Sequence, residues 1–131
     1  WNYSASNTHE AGDGWNTEDL SIYSATTGEG RAVRGFCRPY AMAVAGMPVS
    51  AKFDGKRRAF TFEWDAAPAE GEAGLTEIFV PSIWYPEGWR AEFVGEGAEL
   101  EERPDAQRLI VRVASAGRAR VTVRPLGRDE R

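Results

Sequence analysis

Between residues 49 and 123 the chain repeatedly alternates apolar and polar residues, with turn residues between the runs. The clearest run is Phe60-Thr61-Phe62-Glu63-Trp64, with three aromatic rings at every second position. A period of two puts those rings on one face of a strand, whereas on a helix the same residues would scatter around the axis. Val49, Ala51 and Phe53 alternate with Ser50 and Lys52, and Asp54-Gly55 between the two runs signals a hairpin, because it tolerates the positive φ of a tight turn. Further strand patterns are Thr76–Pro81, Trp89–Phe93, a polar edge segment from Glu96 to Glu102, Leu109–Val113 and Arg118–Arg124. Ala116-Gly117 reads as a hairpin joining the last two, and Arg38-Pro39 ends whatever element precedes it, where a short helix fits.

This pattern predicts an all-β fold, an antiparallel immunoglobulin-like β-sandwich of six to eight strands preceded by an irregular segment. The expected inward set is Val49, Phe53, Phe60, Phe62, Trp64, Ile78, Val80, Phe93, Leu109, Val111, Val121 and Val123. With 131 residues the chain can bury a core without staples. It is too short for a complete (β/α)8 barrel, which takes roughly 200 residues or more. The single cysteine, Cys37, excludes an intramolecular disulfide and is expected to be a buried, inert thiol.

Charge divides the chain in two. Residues 1–30 hold five acids and no Lys or Arg, and residues 31–131 hold 16 basic and 15 acidic residues. The absence of a basic stripe argues against nucleic acid as a partner. No run reaches the roughly 18 apolar residues of a membrane span, and no signal-peptide pattern opens the chain. Residues 1–30 are rich in Asn, Ser, Thr, Gly and Asp, yet contain Trp1, Tyr3, Trp15 and Tyr23, rings that must pack on something. A chain that opens on Trp1 is expected to be a piece of a longer protein.

His9, Glu10, Asp13, Glu18 and Asp19 offer metal-ligand chemistry, but their spacing fits neither a His-Glu-x-x-His helix nor a calcium loop, so no metal and no cofactor is expected. Glycosidic acid–base catalysis needs two carboxyls on rigid supports about 5 Å apart for retention. The acids of residues 1–30 lie in irregular chain, and Glu63, Glu77 and Glu92 read as surface positions, so no catalytic residue is expected. Trp84, Tyr85 and Trp89 cluster around a turn. They read either as an exposed aromatic platform for sugar or lipid, or as rings that close the core.

The stretch Trp1-Asn2-Tyr3-Ser4 followed by Asn7–Ile22, with its Gly12-Asp13-Gly14-Trp15-Asn16-Thr17-Glu18-Asp19 run, resembles the end of the catalytic barrel in endoglycoceramidase-like members of glycoside hydrolase family 5. Arg38-Pro39-Tyr40, Thr76–Pro81 and Tyr85-Pro86 resemble that family's C-terminal β-sandwich. One departure is Ala11, where the family carries an aromatic residue. The resemblance implies that residues 1–30 close a barrel whose remainder lies upstream and that residues 31–131 form the sandwich. It implies that Trp1, with Asn2, His9 and Trp15, faces sugar only in the presence of that barrel. It implies a non-catalytic module of a retaining hydrolase acting on glycosphingolipids, with the (β/α)8 domain as partner, glycolipid or oligosaccharide as ligand, and a secreted or extracellular setting. The alternative expectation is an independent carbohydrate- or lipid-surface-binding module.

Overall fold

A computed structural model describes residues 22–24, 27–95 and 97–127. The chain divides into two compact units, Trp1–Cys37 and Arg38–Arg131. In the first, strands β1 (Tyr23–Ser24) and β2 (Glu29–Gly30) pair as a small antiparallel hairpin. The Ser24 hydroxyl accepts a hydrogen bond from the Thr27 N–H at 3.3 Å, and a four-residue helix α1 (Val33–Phe36) follows.

The second unit is an antiparallel sandwich of eight strands. One sheet has the order β4 (Gly46–Asp54), β5 (Ala59–Ala66), β10 (Gly117–Pro125), β7 (Trp89–Val94). The other has the order β3 (Tyr40–Ala43), β6 (Leu75–Phe79), β9 (Arg108–Val113), β8 (Ala98–Arg103). The central strands carry the core. Phe60, Phe62 and Trp64 of β5 and Val121 and Val123 of β10 are buried from one side, and Ile78, Leu109 and Val111 of β6 and β9 from the other. Trp64 is fully buried, stacked on Phe62 at 5.2 Å and meeting the edge of Phe93 at 6.2 Å. Thr76 is the polar residue among these inward positions, and its hydroxyl accepts the Ala45 N–H at 3.1 Å, which anchors the link between β3 and β4.

Three local expectations are corrected. Val49, expected inside, is 44% exposed. A β-bulge between Pro48 and Ser50 sets Pro48 opposite Trp64 and Ser50 opposite Glu63, so Val49 is the extra residue and leaves the inward register. The Asp54-Gly55 hairpin forms, but with a longer loop. The Asp54 carboxylate accepts the N–H groups of Lys56 and Arg57 at 2.9 and 3.1 Å, and the positive φ falls on Arg58. Ala116-Gly117 does not make a hairpin. β9 and β10 belong to opposite sheets, so this short link crosses the core instead of reversing within a sheet. β10 buries alternate residues and β9 buries Leu109, Ile110, Val111 and Val113, and neither pattern tells a neighbour in the same sheet from one facing it.

β3 has no counterpart among the expected strands, because Tyr40-Ala41-Met42-Ala43 carries no polar alternation. Its turn into β4 is set by Gly46, at φ 132°, where a Cβ would come within 2.1 Å of the Asp65 carbonyl oxygen. Leu109→Ala, which empties a fully buried site, should cost about 2–5 kcal/mol. Val49→Ala, on the bulge, should stay within about 0.5 kcal/mol of the parent. Urea unfolding of the two variants checks both, and equal losses would place Val49 in the core.

Candidate functional site

The residues expected to face sugar, Trp1, Asn2, His9 and Trp15, lie outside the described residues, as does the acidic run through Asp19. Trp84, Tyr85 and Trp89 are described and do not form an exposed platform. Tyr85 is 3% and Trp89 6% exposed within the core cluster, and Trp84 packs edge-on against Phe53 at 4.8 Å. The backbone explains why. The Trp84 N–H bonds to the Pro81 carbonyl, that of Tyr85 to Ser82, and that of Gly88 to Tyr85. These successive turns fold the segment onto the sandwich, and Gln107 holds it by accepting the Ser82 N–H at 2.8 Å. A ring enclosed on both faces cannot stack on a pyranose. Burial also pushes the Tyr85 phenol well above its ordinary range, so it stays neutral. Cys37, expected buried, is half-buried at the C-terminus of α1, ahead of the first sandwich strand.

Several of the strand carboxylates are engaged with arginines. Asp65 pairs with Arg118 at 2.8 Å, Glu77 with Arg108 at 3.0 Å and Glu101 with Arg103 at 2.7 Å. Glu63 pairs with Arg120 and also accepts the Ser50 hydroxyl at 3.2 Å. Strand register produces two of these pairs directly, because Arg118 stands opposite Asp65 and Arg120 opposite Glu63 across β10 and β5. Arg120 holds Glu63 below the usual carboxylate range, and Arg103 does the same for Glu101. A general acid needs the opposite shift.

Among the open grooves built by described residues are two larger ones. One, of 520 Å³, lies between the Pro68–Glu70 loop and strands β8 and β9, lined by Gly97, Ala98, Glu99, Val113 and Ala114. Arg112 on its wall donates to the Gly71 carbonyl at 3.3 Å and pins the loop. The other, of 610 Å³, runs over the outer face of β4, β5 and β10, with Lys52, Asp54, Arg57, Thr61, Thr122 and Arg124. Neither is lined by an aromatic ring, whereas a smaller groove of 230 Å³ has Phe93 on its wall beside Gly95 and Ala119. Among the described residues no group of three His, Cys, Asp or Glu side chains is placed to hold a metal ion, and no helix is long and apolar enough to cross a membrane.

Residues 38–124 match the family model of the glycoside hydrolase family 5 C-terminal domain. A glucosylceramidase of Rhizopus delemar is 38% identical to the chain, the match covering 65% of this chain and 15% of that protein. A glucosylceramidase of Cryptococcus neoformans var. grubii is 33% identical, covering 62% and 14%. Among solved structures, sterylglucosidase 1 of Cryptococcus neoformans superposes with a TM-score of 0.75 at 26% identity, over 97% of this chain and 21% of that one. Endo-glycoceramidase II from Rhodococcus sp., solved as its lactosyl-enzyme intermediate, gives a TM-score of 0.63 at 25% identity, over 84% and 24%. The chain therefore spans about a seventh of the length of the curated relatives it matches.

The Glu63–Arg120 pair predicts an acid limb of stability. With its folded pKa below the ordinary 4.5, Glu63 contributes fully above that value, and the contribution is lost as pH falls through the folded value. Glu63→Gln should lower the melting temperature at neutral pH, and the deficit should shrink as pH falls into the acid range and the parent carboxyl takes up its proton. Melting curves across pH check this, and a deficit that persists at the acid end would assign the loss to packing.

Proposed function

The chain belongs to the glycoside hydrolase family 5 C-terminal domain family, and from that premise we propose that it is the non-catalytic β-sandwich module of a longer, retaining glycolipid hydrolase. In this reading the module packs on a (β/α)8 catalytic barrel, stabilises it and helps present the lipid-bearing substrate. The observation that carries the reading is the pattern of coverage. A 38% identical glucosylceramidase matches over 65% of this chain but only 15% of its own length, so most of that relative lies outside the shared module.

The side-chain chemistry supports the same division of labour. The Arg-paired carboxylates Glu63 and Glu101, held in their charged forms, are suited to fastening strands and poorly suited to proton donation. The burial of Tyr85 and Trp89 takes away the platform that an independent sugar-binding module would use. Incubated with glucosylceramide, or with a glycosphingolipid carrying an oligosaccharide, the purified chain should release no sugar. Turnover above a heat-denatured control would overturn the non-catalytic assignment.

A further inference from the structure

Residues 40–51 contain no charged residue, in a chain that is 27% charged. They form β3, its link to β4, and most of β4, each the edge strand of its own sheet. Only two residues join β3 to β4, so the two edges share one side of the sandwich. Along that side Tyr40, Met42, Met47 and Val49 are 53, 43, 67 and 44% exposed. The edge strand β8 across the same sheet from β3 is protected in the usual way, by Glu99, Glu101, Glu102 and Arg103. The β8 edge thus carries a row of charges, and the β3–β4 edge offers Tyr and Met side chains with no charge among them. That is the composition of a protein–protein interface centre.

We infer that the β3–β4 edge is the surface through which the sandwich docks on the catalytic barrel of the longer protein. The inference rests on the reading given under Proposed function. The occupant follows from two facts. The curated relatives are about seven times longer than the matched module, so a large partner of the same polypeptide is available. In sequence this edge is also the first element of the second unit, so polypeptide preceding it is tethered at high effective concentration. The contact runs through side chains and not through an added strand. Both edge strands carry a register shift, between Ala41 and Ala43 and between Pro48 and Ser50, and Pro48 has no N–H to donate.

The chain holds two methionines, Met42 and Met47, and both lie on this surface, so methionine oxidation reads its exposure directly. Dilute peroxide is applied to the 131-residue chain and to the complete gene product, and sulfoxides are counted by peptide mass. Both methionines should oxidise readily in the chain and roughly tenfold more slowly in the complete product. In parallel, Val49→Glu should leave the melting temperature of the chain unchanged and lower that of the complete product. A barrel-bearing product whose methionines oxidise as fast as in the chain overturns this surface and leaves the hydrolase reading standing. A complete product without a barrel-length region overturns both. Protection of the isolated chain that grows with its own concentration assigns the edge to a second copy. Protection by phosphatidylcholine vesicles assigns it to a lipid surface. Either of these replaces the inference.

Discussion

The indole of Trp64 is the point on which the sandwich is organised. It is fully buried at the centre of β5, stacked on Phe62 of its own strand and edge-on to Phe93 of β7. Rings of this size leave few ways to close two sheets at native packing density. On the facing sheet the space is filled by the smaller Ile78, Leu109 and Val111. Strand register then follows, because a slip of one residue would turn Phe60, Phe62 and Trp64 to solvent together. With β5 and β10 in register, their outward residues meet as Glu63–Arg120 and Asp65–Arg118 without further design.

The aromatic investment in the core has a consequence for function. Trp84, Tyr85 and Trp89 surround a turn, the position from which rings are often offered to ligands, yet the hydrogen-bonded turns from Pro81 to Gly88 bring them inward. The described surface carries charged ladders, two larger grooves without rings, and one uncharged edge. Such a surface suits a module that is held by a neighbour and lends it rigidity. The two bulges belong to the same logic. They move Met42 and Val49 out of the inward register and spoil the edge for strand addition, while keeping apolar side chains available for packing.

Local pattern carried much of the fold. The alternation in β5, β6, β9 and β10 identified the all-β class, the central strands and most of the buried residues, because a half-buried strand must alternate and little else does. Pattern failed where the physics is not periodic. β3 was invisible because Tyr40–Ala43 has no polar partner positions to mark the outer face. Val49 reads as inward in sequence because a bulge leaves no trace in hydrophobicity. The Ala116-Gly117 link reads as a hairpin in sequence because turn chemistry reports a change of direction and not the sheet in which the next strand lands.

The site was less legible than the fold. Trp84, Tyr85 and Trp89 carry both meanings in sequence, since a ring beside a turn can face either way, and only the path of the backbone through Gln107 and the Pro81–Gly88 turns decides between them. By itself the sequence determined the period-two strands, the aromatic core of β5 and the uncharged run from Tyr40 to Ala51, all properties of consecutive residues. Tertiary structure decided which strands share a sheet, which aromatic rings are enclosed, and that the uncharged run forms one exposed side. Those outcomes depend on residues far apart in the chain competing for the same interior volume, and no local pattern encodes that competition.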